Sequence, residues 1–270
     1  MVTYRRGILL SLLSGVLLAL CFEPFALSWL MFIALVPLFF ALFNEQNFWR
    51  ILSYAWLTVA IQSLISFQWI HFVSREFGSL GWGISLLVLL AFSLLANFYL
   101  QIFALMFYFF RRLLLNKKHL LYLLIVPSTY VLSEWIDPRV FSWSIGDALS
   151  TYKYLPQFAD VFGVYGLSYL CVMINSLIFI SLSTFLSSKN ILKKSAILPI
   201  VICTIIITSL LLYGYIQSHD DSGVHERSVK FGVVQANIGN PVQLKIAEAV
   251  KIRQDLNMSG TEFADDSDLI

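Results

Sequence analysis

Two carboxylates border long apolar runs in this sequence: Glu23, just before Pro24, and Glu134, between Ser133 and Trp135. A carboxylate in or beside hydrocarbon is costly unless it has water, a partner or a function. Each is therefore a candidate site residue, Glu23 against the plainer reading of an interfacial turn and Glu134 against that of an interfacial pair with Arg139. His71, which closes Gln68-Trp69-Ile70-His71, is a third candidate, against the reading of an interfacial anchor. The connection Asp137–Gly163 holds Phe141, Trp143, Tyr152, Tyr154, Phe158 and Phe162. Such aromatic density suggests a segment lying on the membrane surface. Rings placed there can wall a slot that an acyl chain enters from the bilayer while polar chemistry proceeds in water; the plainer reading is an ordinary aromatic belt. Cys171 and Cys203 lie deep in apolar runs, where a free thiol behaves as a small hydrophobe. No spacing of metal ligands occurs, and neither a metal, a disulfide nor a cofactor is expected.

The elements that must position these residues follow from composition. Of 270 residues, 59% are hydrophobic and 13% charged, with 23 Phe and 7 Trp, and the mean hydropathy is +0.78. Soluble domains have about 45–50% apolar and about 25% charged residues, so a single water-soluble globule is excluded, and nucleic-acid binding and intrinsic disorder become poor readings. Charge-free apolar runs fall at Gly7–Phe22, Ala26–Phe43, Ile51–Ile70, Ile84–Phe110, Leu120–Ser133, Val161–Ser187 and Ala196–Ile216. A backbone in hydrocarbon must satisfy its own hydrogen bonds, which makes each run a helix. The expected architecture is an all-α polytopic membrane bundle of about seven transmembrane helices, the first and fifth being short for a span of about 30 Å.

Basic residues concentrate in cytoplasmic loops. Arg5/Arg6, Arg50, Arg111/Arg112/Lys117/Lys118 and Lys189/Lys193/Lys194 fall on one side of a seven-span path, while the opposite loops hold Arg75, Arg139 and Lys153. The expectation is a cytoplasmic N-terminus and an extracytoplasmic C-terminal tail. A re-entrant hairpin over Gly7–Phe43, broken at Glu23-Pro24, would leave that sidedness unchanged. The first run also resembles a signal peptide ending near Cys21, but Leu20 is too large for a lipoprotein processing site, and a retained anchor is the expected form.

Up to Ile216, Lys and Arg outnumber Asp and Glu 13 to 7; from Gln217 onward the order reverses, 5 to 9. That shift marks a boundary, giving a membrane domain over 1–216, a linker over 217–228 and a different domain beginning at 229. Val229–Ala236 reads as a buried strand, Asn237–Pro241 as a loop, and Val242–Leu256 as a helix with apolar residues at Leu244, Ala247, Val250 and Ile252. Asp268-Leu269-Ile270 looks like a second strand beginning, so 229–270 is expected to open an α/β domain without closing its sheet.

Several motifs, in order, resemble one family. They are Phe22-Glu23-Pro24-Phe25 with Trp29 and Ala34–Leu38; Phe67-Gln68-Trp69-Ile70; Leu132-Ser133-Glu134-Trp135; Phe141-Ser142-Trp143; Gly163–Ser168 with Asn175; and Val233–Ile238. Together they resemble apolipoprotein N-acyltransferase, a bacterial inner-membrane enzyme, with 229–270 similar to the start of its extracytoplasmic nitrilase-like domain. The resemblance implies a multi-pass inner-membrane protein with a periplasmic tail, and a phospholipid acyl donor and a diacylglyceryl lipoprotein as partners. It implies ping-pong transfer in which a Cys thiolate takes an acyl group and passes it to the α-amine of a diacylglyceryl-cysteine. A thiolate activated by a base and an oxyanion held by donors suit that task, and in this superfamily a Glu, a Lys and a Cys share the roles. Glu23, Trp69, Glu134, Phe141 and Trp143 are the expected substrate-binding residues.

None of the three catalytic residues has a matching position before Ile270, so the sequence is expected to be a truncated or split form, inactive alone, and a second chain is one possible source of the missing domain. Ser142 stands where a proline is common before Trp143, and the tryptophan expected near Leu244–Ala247 is absent. The alternative function is a non-catalytic membrane protein that binds or scaffolds lipid or lipoprotein.

Overall fold

In a computed structural model, the described residues are 4–115, 119–141, 143–187 and 194–219. They are helical or in connections, with no strand among them. The expected strand, helix and second strand over 229–270 lie outside the described residues, as do Ser142, Lys117, Lys118, Lys189 and Lys193. By contacts the chain divides into two units, Met1–Phe72 with Gly81–Asp220 and Val73–Leu80 with Asp221–Ile270. In the second unit, Val73–Leu80 is the described segment, a helix end and turn with an Arg75–Glu76 ion pair at 3.9 Å.

Every apolar run of the sequence holds a helix. The first becomes α1 (Tyr4–Leu20). The second divides into a 3-10 turn, Ser28–Phe32, and α2 (Val36–Asn44). Pro37 sits in the first turn of α2, where its missing N–H would have been unpaired anyway. The third run is α3 (Phe48–Ser66), opened by Asn47, whose side chain accepts the Arg50 N–H at 3.2 Å. A short amphipathic helix, α4 (Trp69–Glu76), follows.

The fourth run is a bent pair, α5 (Trp82–Leu95) and α6 (Tyr99–Leu115). Both pack on α3. Two features fix the break at Ala96–Phe98: the Asn97 amide donates to the Ser63 hydroxyl at 3.2 Å, and the Phe98 N–H donates to Asp137 Oδ1 at 3.1 Å. The last three runs become α7 (His119–Ile136), α8 (Ala159–Ser187) and α9 (Lys194–Gln217). Among the described residues, four segments are long and apolar enough to cross a membrane: Phe48–Ser66, Trp82–Phe110, Leu155–Leu186 and Ile200–Gln217.

Without a strong hydrophobic drive between helices in lipid, close packing of small residues and buried polar contacts hold such bundles together. On α1, Gly7 lies against the Tyr54 ring, and a Cβ at Gly15 would meet the Thr58 carbonyl at 2.6 Å. Thr58 in turn donates to the Ser11 carbonyl at 3.1 Å. Asn175 of α8 ties three segments: it accepts the Leu35 N–H at 2.9 Å and donates to the carbonyls of Met31 at 2.7 Å and Cys171 at 2.8 Å. That side chain is fully buried and fully used.

The connection from α7 to α8 does not lie flat on a surface. Ile145–Thr151 and Leu155–Phe158 fold as 3-10 turns, with Ile145, Gly146, Ala148, Leu149 and Leu155 buried. The physical reason is close packing: a Cβ at Gly146 would clash with the Val164 carbonyl, and its N–H donates to the Ser168 hydroxyl at 3.1 Å. Ser144 and Asp147 form a capping box that starts the first turn. Within α8, Gly163 has φ 64° and ψ −173°, a conformation open in practice to glycine alone, and it separates the first turn from the long helix.

Candidate functional site

Rings from three parts of the chain meet the Trp143 ring. Phe22, from the end of α1, meets it edge-on at 4.9 Å, and Phe67, just after α3, lies at 6.2 Å. Tyr99 of α6 contacts it edge-on at 5.8 Å. Phe67 also stacks on Phe141 at 6.0 Å and touches Trp69 at 6.3 Å, while Trp69 and Phe141 meet at 5.3 Å. Phe92 of α5 completes the group at 5.8 Å from Phe141. Trp69, Phe141 and Trp143, separate in sequence, thus share one aromatic wall. Its outer members are open, Trp69 at 44% and Phe141 at 39% exposure, whereas Trp143 is half-buried.

Behind the wall is a buried polar layer. The Tyr99 hydroxyl donates to Gln62 Oε1 at 2.5 Å, and both residues are within 2% of complete burial. Arg139 places its guanidinium 5.9 Å from the Tyr99 ring centre. The side-chain nitrogens of Gln62 and Trp143, Tyr130 Oη and one oxygen of Glu134 are buried without a hydrogen-bond partner. Orphaned buried polar atoms are uncommon in native proteins and call for an explanation such as water or a ligand group.

The two carboxylates of this layer organise backbone. Glu134, 2% exposed, accepts the Ile145 N–H at 2.9 Å and so fixes the start of the 3-10 turn that follows Trp143. Asp137 caps α6 through Phe98 N–H, where the positive end of a helix favours an anion. Burial pushes the Asp137 carboxyl above its usual range, against the Phe98 N–H and the Arg139 cation, which both favour its charged form. Arg139 pairs with Asp137 at 3.5 Å and donates to the Glu134 backbone carbonyl. The alternative reading of Glu134 as the partner of Arg139 is not what the side chains do: Asp137 makes that ion pair, and the Glu134 carboxylate accepts from Ile145.

Glu23 stands one residue from Phe22 but is exposed. The His71 ring lies edge-on to Trp82 at 5.9 Å and is not part of the wall. Cys21, Cys171 and Cys203 are free and buried. Among the described residues no group of three or more His, Cys, Asp or Glu side chains gathers as a metal site. Gln62, Tyr99 and Asp137 were not singled out from sequence. Gln62 carried a signal, being an amide inside an uncharged apolar run, whereas nothing local marked Tyr99.

Residues 14–177 match the family model described as the apolipoprotein N-acyltransferase N-terminal domain. The chain belongs to the apolipoprotein N-acyltransferase family. Glu23, Trp69, Glu134, Phe141 and Trp143 all lie within the matched segment of this acyltransferase domain. Relatives include an apolipoprotein N-acyltransferase of Bdellovibrio bacteriovorus, 27% identical over 239 residues, which is 85% of this chain and 41% of the relative. Apolipoprotein N-acyltransferase 1 of Leptospira interrogans is 30% identical over 188 residues, covering 68% of this chain and 32% of the relative. The apolipoprotein N-acyltransferase of Geobacter metallireducens is 28% identical over 245 residues, 88% of this chain and 45% of the relative. The chain therefore spans less than half the length of each of these relatives, and the family model that it matches is that of their N-terminal domain.

Proposed function

We propose that this chain is the membrane part of an apolipoprotein N-acyltransferase, which holds a phospholipid acyl donor and a diacylglyceryl lipoprotein while an acyl group passes to the lipoprotein's α-amine. The observation that carries this reading is the aromatic wall, in which Trp69, Phe141 and Trp143 converge with Phe22 and Phe67. A wall open at Trp69 and Phe141 and backed by buried polar atoms suits a substrate with alkyl chains and a polar head. In this reading Glu134 positions the Trp143 segment, and Glu23 acts at the rim.

The acyl-carrying thiolate comes from a nitrilase-like domain, supplied by chain continuing from 229–270 or by a second polypeptide. Support comes from the three cysteines of the described helices, all buried among apolar side chains. A thiolate there would be an uncompensated charge in a medium of low polarity. The membrane path is the seven-span one, in the inner membrane, with the N-terminus cytoplasmic and the tail periplasmic, as the Lys and Arg distribution favours.

Complementation tests the proposal. In cells depleted of their own N-acyltransferase, residues 1–270 alone should not restore growth, whereas co-expression with a nitrilase-like domain carrying Glu, Lys and Cys should, and Trp143→Ala should weaken that rescue. Rescue by residues 1–270 alone would overturn the assignment of the nucleophile to another domain.

A further inference from the structure

Away from the aromatic wall, the outer part of α8 and the adjoining face of α7 enclose an apolar groove of ≈ 470 Å³. Its lining is Val131 of α7, Phe158 of the 3-10 turn, and Phe162, Tyr165, Gly166, Tyr169 and Leu170 of α8. Tyr165, Gly166, Tyr169 and Leu170, after the break at Gly163, recur at helical spacing, so one face of the long helix forms the floor, with Phe162 on the first turn beside it. Gly166 keeps the floor deep: a Cβ there would collide with the Phe162 side chain. None of these residues belongs to the wall around Trp143.

We propose that this groove binds one alkyl chain of a bilayer phospholipid as a site separate from the acyl-transfer substrates. Three observations support that occupant. The volume lies in the range of about 300–1,000 Å³ typical of ligand clefts. Apart from two tyrosine hydroxyls the lining side chains carry no polar atom, so water has few partners in it. Exposed apolar side chains also flank the lining in sequence, Val161 (52%), Leu132 (43%) and Trp135 (69%), and Phe162 of the lining is itself 65% exposed. Hydrocarbon is the medium such a surface meets in the membrane. An alkyl chain in the groove removes apolar surface on α7 and α8 that neither helix covers for the other.

Native mass spectrometry of the purified full chain, released from nanodiscs of phosphatidylethanolamine and phosphatidylglycerol, tests this inference without requiring acyl transfer. With Trp143→Ala in every protein compared, to weaken lipid binding at the wall, the parent, with the groove intact, should retain one lipid. In Leu170→Trp and in Val131→Phe, retention should fall about tenfold, the change expected when roughly two methylenes lose their apolar contact. Leu212→Phe, on the exposed face of α9, should retain lipid like the parent. A phosphatidylethanolamine carrying a diazirine in its chain supplies a readout on the unaltered protein: adducts should concentrate on the segment Phe162–Leu170. Equal retention in all variants, or adducts spread evenly over that segment and the exposed Leu87 and Leu95, would overturn the proposal. So would a dimer with no retained lipid, which would assign the groove to a second copy of the chain. Loss of acyl transfer with lipid retention intact would instead count against the functional reading above.

Discussion

The carboxylate of Glu134 accepts the backbone N–H of Ile145 at 2.9 Å, spanning the eleven positions that separate them. This bond fixes the segment that carries Phe141 and Trp143 to the C-terminal end of α7. Glu134→Ala leaves the Ile145 N–H buried and unpaired, which should cost about 1–3 kcal/mol. Glu134→Gln keeps an acceptor and should lose less. Thermal unfolding in detergent, followed by tryptophan emission, checks the order; equal stability of the two variants would contradict it.

Tyr99 and Gln62 form a buried pair whose separation costs more than its removal. Tyr99→Phe orphans Gln62 Oε1 and should destabilise by about 1–3 kcal/mol, whereas the double change Gln62→Leu with Tyr99→Phe should recover most of that loss. A double-mutant cycle on unfolding midpoints measures the coupling.

Two glycines should respond differently to alanine. At Gly163 there is open space but a positive φ, so Gly163→Ala should cost about 1–3 kcal/mol through backbone strain alone. At Gly146 the added methyl meets the Val164 carbonyl and the Ser168 N–H, so Gly146→Ala should also shift the adjacent turn and perturb Trp143 emission. Identical spectra for the two variants would argue against the packing described.

Glu45, in the connection before α3, gives a pH dependence. Burial raises its carboxyl, but the N–H groups of Asn47 and Gln46 and the Arg50 cation outweigh that and hold it below the usual carboxylate range. The N–H contacts are 3.0 and 2.9 Å, and the Arg50 pair is 3.5 Å. A lowered folded-state value means the contribution is present above the unfolded value of about 4.3 and is lost as pH falls through the folded one. The unfolding midpoint should therefore drop between neutral pH and the low carboxylate range, and Glu45→Gln should lessen the drop.

The helices were legible because apolar runs in a membrane have one local solution for their backbone hydrogen bonds. The division of the second run was not read from the sequence, although Pro37 in the first turn of α2 carried a signal for it. The bend between α5 and α6 was not, since Ala96-Asn97-Phe98 carries no Pro or Gly and is set by two distant partners, Ser63 and Asp137. Likewise the aromatic count marked Asp137–Gly163 as notable, but its burial depends on the fit of Gly146 against α8, a tertiary fact. Ser144 and Asp147 did carry a local turn signal in their spacing. Of the candidate site residues, Trp69, Phe141 and Trp143 proved to be neighbours, Glu134 a buried anchor for their segment, and Glu23 an exposed residue beside Phe22.

The central claim is that the wall of Trp69, Phe141 and Trp143 faces the lipid-bearing substrate. Its most direct test is photo-crosslinking of a diacylglyceryl-cysteine lipopeptide, labelled with a diazirine beside the cysteine, to the full chain in phosphatidylethanolamine nanodiscs. The account predicts adducts concentrated at Phe67–Trp69 and Phe141–Trp143, falling about tenfold in Trp143→Ala, the scale of losing one buried aromatic anchor. Adducts distributed evenly over exposed membrane-facing residues such as Leu87 and Leu212, and unchanged in Trp143→Ala, would contradict it.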